Sequence, residues 1–309
     1  MMNMNCIVTN QRNSDAVEAG TAYRNGYSKA KFWRGLNWLL AFALALGQVI
    51  VSLAVDTEIA KEYQWIIVFV LMVYVVVGAF ARTKAKRWQS EASLIHSLHD
   101  YLVLGIGKRP CARDMPKSKL SILSKQWLKK KPNDKEIFEE WWSTALETVP
   151  FEAGKLIASL STFDWETRLR SKYHTFVSYL FWGFVVALII LCIFLELKTS
   201  EALILTFAPF TPFLALLFDE LQESNEAKSD AEMVRDGAYT LWQTYLEKRV
   251  SNCELEEKLE ALFVSWQRFR AKAVPIFDTA YEFTRKKMED GMVVDSQDLI
   301  NRYCQVYVN

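Results

Sequence analysis

Two histidines and an aspartate stand at a spacing that could hold a metal ion. His96, His99 and Asp100 lie at i, i+3 and i+4 of a helical stretch, so their side chains share one face. No fourth ligand is evident in the sequence, and a packed or solvated helix face is the favoured interpretation. Ser97 adjoins His96, but adjacent residues on a helix point apart and make no nucleophile pair. We therefore expect no metal site here.

The sequence lacks the motifs of the common catalytic classes. It contains no Walker loop, no dinucleotide-binding glycine pattern, no GxSxG, no HExxH and no CxxC pair. The 5 cysteines are scattered, which favours reduced thiols over a disulfide framework. We therefore predict that the protein is not an enzyme and needs no cofactor.

An aromatic residue beside a basic run offers a second kind of chemistry. Trp127 is followed by Lys129, Lys130 and Lys131. Such a group could bind phosphate and stack a base, or it could meet anionic lipid or solvent. The lipid or solvent interpretation is favoured for so short a run.

Four uncharged apolar runs must position these segments. Each is compatible with a helix that crosses the hydrocarbon core, about 30 Å thick at about 1.5 Å of rise per residue, and none shows a polar face. Short polar loops, 56–64 and 196–201, join them into two hairpins. The runs are Leu36 to Val55, Trp65 to Ala81, Phe176 to Leu195 and Ala202 to Phe218.

The distribution of Lys and Arg predicts the orientation of these hairpins. Basic residues cluster before the first run, after the second and before the third, whereas the two hairpin loops hold only Lys61 and Lys198. By the positive-inside rule, both termini and the long central segment are cytoplasmic.

Polar residues inside the apolar runs are few. No Asp, Glu, Lys or Arg sits mid-span, which argues against a proton-coupled transporter or pump. Gln48 could bond between helices or line a pore. Pro209 and Pro212 bend the fourth run, as a gate or as a feature of shape. For all three residues the packing or shape interpretation is favoured over the pore or gating role.

The sequence therefore predicts an all-α membrane protein with four transmembrane helices and a helical cytosolic domain. The central insert has 18 Lys and Arg against 11 Asp and Glu, a net charge of +7, and the C-terminal segment has 12 against 18, a net charge of −6. Opposite charges predict that these segments dock on each other. The predicted segments are an N-terminal amphipathic helix (1–35), hairpin 1 (36–81), the basic insert (82–173), hairpin 2 (174–218) and the acidic C-terminal helices (219–309).

Periodicity and breaker residues predict the helices outside the apolar runs. The helix over 15–33 has two interpretations, one at the membrane surface and one packed on the cytosolic domain. The second span should continue to about Leu104, where Gly105 ends it. Further helices are predicted over Glu136 to Thr148, Phe151 to Tyr173 leading into the third span, Asp219 to Arg249, Glu254 to Lys272 and Asp278 to Asp290.

Several stretches along most of the chain resemble one known family. They are NQRNSDAVEAGTAYRNGYSKAK from Asn10, HDYLVL from His99, EEWWSTALETVP from Glu139, DWETRLRSKY from Asp164 and SWQRFRAKAVPIFDTAYEFTRKKMEDGM from Ser265. In these positions the chain resembles the SMODS-associating four-transmembrane (S-4TM) effectors, found beside cyclic-oligonucleotide synthases in the bacterial anti-phage systems called CBASS.

The resemblance implies a receptor and effector in the bacterial inner membrane. A cytosolic module would sense a cyclic oligonucleotide, and the helices would then assemble as a homo-oligomer and breach the bilayer by pore formation or lipid disordering, causing abortive infection. DNA is not an expected partner. The alternative is a membrane scaffold or small channel component that binds a partner protein and no nucleotide. Candidate ligand contacts under the first hypothesis are Trp141, Trp142, Arg168, Arg170, Tyr173, Arg270 and Arg285, although for each of them an ion pair between helices or a core aromatic is the favoured role.

Overall fold

A computed structural model of the chain describes the backbone of residues 5–54, 57–107 and 115–308. Side chains are described over the same ranges except 52–54, 57–64, 67, 279–280 and 283–290. The chain divides into two compact units. Unit 1 comprises the described parts of 1–28, 88–172 and 226–309, and unit 2 comprises those of 29–87 and 173–225.

Four long helices dominate the fold and are long and apolar enough to cross a membrane. They are α2 (Ser14–Ala54), α3 (Thr57–Leu104), α6 (Phe151–Phe194) and the continuous helical stretch Thr199–Leu246, most of which is α8 (Ala208–Leu246). The predicted fold class is confirmed, and every regular element of the described chain is helical. Each of the four helices has residues in both units.

The remaining helices are shorter, and most lie in unit 1. They are α1 (Ile7–Gln11), α4 (Lys117–Lys130), α5 (Asp134–Glu139), a 3₁₀ helix (Thr144–Thr148), α7 (Thr199–Ala202), α9 (Asn252–Lys272) and α10 (Asp278–Tyr307). A π-helical turn, Leu203–Phe207, separates α7 from α8.

The first hairpin loop is shorter than predicted. The loop prediction for 57–64 is wrong because α3 begins at Thr57, while residue 56 lies outside the described residues. Hydropathy marks where the apolar core ends, whereas the Glu, Ala, Lys and Gln of this stretch favour continued helix. At its other end α3 stops at Leu104 as predicted, because Gly105 adopts φ +65°, which favours glycine.

Aromatic rings fill the core of unit 1. Phe163 of α6 packs against Phe263 and Trp266 of α9, with ring centroids 5.6 and 4.6 Å apart. Tyr245 of α8 stacks on Tyr303 of α10 at 6.3 Å. Burying a large apolar side chain of this kind stabilises the fold by about 2 to 3 kcal/mol.

The predicted docking of the basic insert on the acidic C-terminal segment is confirmed within unit 1. Lys155 Nζ lies 2.8 Å from Glu256 Oε1, and Arg168 Nη2 lies 2.9 Å from Asp295 Oδ2. The N-terminal part of α2 is packed in the same unit, with Ala16 and Ala19 buried. The packed interpretation of that helix therefore applies to its first turns.

Unit 2 has an aromatic interior and an apolar exterior. Phe42 of α2, Phe184 of α6 and Phe213 of α8 meet with ring centroids 5.0 to 6.3 Å apart. Outward-facing side chains remain apolar, and Ile193 and Phe194 are 71% and 81% exposed. An apolar outer face is expected of helices in lipid, where the tails replace water.

One buried carboxylate ties three helices of unit 2 together. Glu220 of α8 has no exposed surface. Arg34 of α2 donates from Nε to Glu220 Oε2 at 2.7 Å, and the Tyr173 hydroxyl of α6 donates to Oε1 at 2.7 Å. Arg34 also donates to Glu223 Oε2 at 2.5 Å. Because its hydrogen bonds satisfy both oxygens, the charge of Glu220 is tolerated in the interior.

Replacing Arg34 by Met should destabilise unit 2 strongly. Arg34→Met keeps the aliphatic stem but leaves the Glu220 charge uncompensated, so we expect the free energy of unfolding in detergent to fall by about 3 to 5 kcal/mol. The double variant Arg34→Met/Glu220→Gln should recover much of that loss, because the buried charge is gone.

The matched control is Arg302→Met. Arg302 pairs with Asp298 at 2.8 Å, and both side chains are more than half exposed, so its loss should cost less than about 1 kcal/mol. If denaturant titration shows that Arg34→Met and Arg302→Met lower the free energy of unfolding by the same small amount, Arg34 is not the essential partner of the buried Glu220 charge.

Candidate ligand-binding site

A cavity of about 400 Å³ lies in unit 1, where α5 and the turn after it face α10. Small-molecule sites typically have volumes of about 300 to 1,000 Å³. Half of the described lining residues are apolar and half are polar, and two of them are predicted ligand contacts. The lining residues are Asn133, Glu136, Ile137, Glu140, Trp141, Trp142, Ser143, Met292, Val293 and Ser296.

A break in the predicted helix over Glu136 to Thr148 forms one wall of the cavity. That prediction is wrong, because α5 ends at Glu139 and the chain resumes as a 3₁₀ helix at Thr144. The side chain of Gln11 replaces the helical hydrogen bonds of Trp142, accepting from its N–H at 2.9 Å and donating to its carbonyl oxygen at 3.1 Å. Ser143 then caps the 3₁₀ helix by accepting from the Ala145 N–H at 3.2 Å.

The two tryptophans of this turn have different environments. Trp142 is buried and stacks on His99 with centroids 6.2 Å apart. Its indole Nε1 is buried without a hydrogen-bond acceptor in the described part of the chain. Trp141 is half-buried and meets the ring of Trp165 of α6 edge-on at 6.1 Å. The structure therefore places both predicted aromatic contacts at one cavity.

Arg168 lies beside the cavity without being one of its lining residues. Its Nε donates to Asp164 Oδ2 at 2.7 Å, and its Nη2 pairs with Asp295, which precedes the lining residue Ser296 on α10. The side chain of Arg168 is 51% exposed. The ion-pair alternative therefore also describes Arg168.

Two other predicted contacts form ion pairs with carboxylates of unit 1. Arg270 of α9 pairs with Asp100 of α3, and both side chains are buried. Burial by itself raises the pKa of Asp100, but the Arg270 guanidinium together with His96 and His99 outweighs burial and holds that pKa well below its usual range. Arg170 donates to Glu166 Oε1 at 2.9 Å and also to the carbonyl oxygen of Val274. The ion-pair alternative thus describes both arginines.

The remaining predicted contacts lie elsewhere. Tyr173 belongs to unit 2 and donates to Glu220. Arg285 lies outside the residues whose side chains are described. The structure brings Trp141 and Trp142 together at one cavity, and Arg168 pairs with Asp295 of α10.

The predicted pore or gating residues all lie in unit 2. Gln48 is half-buried on α2, Pro209 is buried at the second position of α8, and Pro212 is half-buried within that helix. Proline has no N–H to donate, so Pro209 leaves the carbonyl of Leu205 without its usual α-helical donor. The π turn Leu203–Phe207 directly precedes this proline. The π turn and the two prolines therefore make part of the fourth span irregular, and a gating role stays a prediction.

The residues considered for a metal serve packing instead. His96 stacks on Tyr23 with centroids 3.8 Å apart, His99 stacks on Trp142, and Asp100 belongs to the buried ion pair. Within the described ranges no group of three or more His, Cys, Asp or Glu is arranged to hold a metal.

The structure separates Trp127 from the basic run that follows it. Trp127 is buried, and its Nε1 donates to Asp134 Oδ2 at 2.8 Å. Lys129, Lys130 and Lys131 are exposed. The indole is therefore not available to stack a base beside the lysines.

The sequence analysis did not predict the polar residues that line or shape the cavity. Glu136 and Glu140 were assigned only to an amphipathic helix, and the role of Gln11 has no local sequence signal because its partner is 131 residues away. The sequence did contain one signal against a continuous helix at this point. Adjacent tryptophans on a helix point about 100° apart, so Trp141 and Trp142 could not both face one core.

The buried histidine generates a prediction on pH. Burial, together with the Arg270 guanidinium, lowers the pKa of His96 well below its ordinary value of about 6.5. Below about pH 6.5 the unfolded chain binds a proton that the folded chain does not, so stability falls with pH by up to about 1.4 kcal/mol per unit from this group. His96→Phe keeps a ring against Tyr23 and should flatten the melting temperature between pH 7.5 and 5.5. Parallel profiles for the two proteins would contradict this account.

Comparison with known proteins identifies the family. The family model described as SMODS-associating 4TM effector domain matches residues 5–299, a range that takes in the four candidate membrane helices. No curated protein and no solved structure matches the chain. The chain is a multi-pass membrane protein that belongs to the SMODS-associating 4TM effector family, the membrane effectors of CBASS-like defence.

Proposed function

We propose that this membrane effector senses a cyclic oligonucleotide on its cytosolic side and then disrupts the bacterial inner membrane, stopping phage replication by abortive infection. The observation that carries the proposal is the cavity of about 400 Å³ beside Trp141 and Trp142. Its volume suits a nucleoside unit, and tryptophan faces stack bases at about 1 to 3 kcal/mol each.

The cavity contacts a helix that continues into the membrane-spanning part of the chain. Trp141 meets Trp165, and Ser296 shares a hydrogen bond of 2.9 Å with Ser161. Both Trp165 and Ser161 belong to α6, which extends from Phe151 to Phe194. A ligand that favours one packing of Trp141 and α10 against α6 therefore biases the position of a spanning helix.

The proposed orientation places both termini and unit 1 in the cytoplasm, because Lys and Arg flank the spans on that side. Ionisable side chains are absent from the middle of the predicted spans, so a single chain offers no charged pathway of its own. We therefore propose that membrane disruption requires a homo-oligomer, whose contacts the apolar outer faces of unit 2 can supply.

Binding is tested by the melting temperature of the purified protein in detergent with a panel of cyclic di- and trinucleotides. A ligand that binds only the native state stabilises it by mass action, so one member of the panel should raise the melting temperature by several degrees. Trp141→Ala should weaken that ligand about 10- to 100-fold, and Trp141→Phe should weaken it far less, because stacking is retained.

The matched control is Ile122→Ala, which removes a 56%-exposed apolar side chain of α4 that does not line the cavity. It should leave the ligand-induced shift unchanged. No shift with any nucleotide, in protein shown to be folded, would contradict the proposal and favour a scaffold that binds a partner protein.

A further inference from the structure

The outer face of α4 is basic. The sequence of this helix, KSKLSILSKQWLKK, holds five Lys and no Asp or Glu. Leu120, Leu123 and Trp127 are buried on one side of it. At about 100° per residue, Lys125 and Lys129 project from the opposite side, and both are exposed. These two lysines define the basic face of α4.

The N-terminal half of α9 presents the opposite charge. Residues 252–262 hold four Glu against one Lys. Leu255, Leu259 and Phe263 form the buried side of the helix. Glu257 and Glu260 lie outside that side and are exposed. These two glutamates define the acidic face of α9.

The helices α4 and α9 pack against opposite sides of α3. One set of α3 residues meets α4 through the ion pair with Lys119, at 2.9 Å, and through a shared buried cluster, and another set bonds to α9. At about 100° per residue, the two sets are centred about 180° apart around the axis of α3. Because α3 lies between the two helices, the basic face and the acidic face cannot pair within one chain. The set that faces α4 is Glu91, Ile95 and Leu98, and the set bonded to α9 is Gln89, Ser93 and Asp100.

We propose, on the basis of the proposed function, that the basic face of α4 in one copy docks on the acidic face of α9 in a second copy of this chain. Complementary charge identifies the occupant, because each copy carries both halves of the contact on separate helices. The contact joins two different surfaces, so each copy can engage one neighbour on either side. The copies form a ring if the rotation between them closes and an open row if it does not.

This contact selects and orients the neighbouring copy rather than supplying most of the affinity. The two lysines are about 6 Å apart along α4, and the two glutamates are about 4.5 Å apart along α9, so each ammonium group can reach one carboxylate. Exposed ion pairs contribute little free energy and are weakened by salt. Chains confined to one membrane meet at high effective concentration, and the apolar outer faces of unit 2 add contact area.

Energy transfer between donor-labelled and acceptor-labelled copies of the full chain tests the inference. The copies are reconstituted together in phosphatidylcholine vesicles, which have no net charge, and transfer is measured without and with each cyclic di- and trinucleotide. Lys125→Glu/Lys129→Glu makes both faces acidic, and Glu257→Lys/Glu260→Lys makes both basic. Each double variant alone should associate at least about tenfold more weakly than the wild-type protein. A mixture of the two variants should associate as the wild-type protein does, because each acidic face then meets a basic one.

The matched control is Arg249→Glu/Arg302→Glu, which changes the net charge by the same amount as the lysine variant. Both arginines belong to unit 1, have side chains that are 74% and 62% exposed, and lie outside α4 and α9. This variant should associate as the wild-type protein does. A melting temperature equal to that of the wild-type protein shows that each variant is folded.

Three results would overturn the inference. Transfer that persists in both folded double variants, or that is not restored when they are mixed, would overturn it and leave assembly through unit 2 in place. If only the lysine variant loses association, and only in vesicles that contain phosphatidylglycerol, the basic face binds anionic lipid instead. Absence of transfer between wild-type copies with every nucleotide would overturn both the inference and the proposed homo-oligomer.

Discussion

Unit 1 depends on the buried ion pair between Asp100 and Arg270. An isolated charge in the interior costs several kcal/mol, so α3 and α9 must pack in the one register that lets these groups meet. Gln89 of α3 fixes the same register by donating to the carbonyl oxygens of Arg270 and Ala273, at 2.7 and 2.9 Å. The ring of His96, one turn before Asp100, then stacks on Tyr23 and brings α2 against this pair of helices.

The sequence predicts the spans and the docking of the insert well, because hydropathy and net charge depend on many residues and tolerate local exceptions. The roles of individual arginines, in contrast, could not be predicted from the sequence. Arg270 and Arg168 have the same chemistry, but one meets a buried carboxylate 170 residues away in sequence and the other lies half-exposed beside the cavity. The break after Glu139 escaped periodicity for a related reason, because the Gln11 side chain that causes it is distant in sequence.

The proposed mechanism connects the ligand cavity with a membrane-spanning helix, which sequence patterns predict independently of each other. The cavity is built from a turn that Gln11 holds open and from one face of α10, and both touch α6. A ligand shifts a conformational equilibrium only by the difference in its affinity for the two states. The contacts of Trp141 and Ser296 with α6 are where such a difference would arise, since they join the cavity to a helix that ends at Phe194.

Dye release from vesicles tests most directly whether nucleotide binding breaches a membrane. The protein would be reconstituted into phosphatidylethanolamine and phosphatidylglycerol vesicles loaded with a self-quenched dye, and each cyclic di- and trinucleotide would be added in turn. The account predicts release that requires protein, depends on nucleotide concentration and is absent when Trp141 is replaced by Ala. Intact vesicles in the presence of a nucleotide that demonstrably binds the reconstituted protein would contradict it.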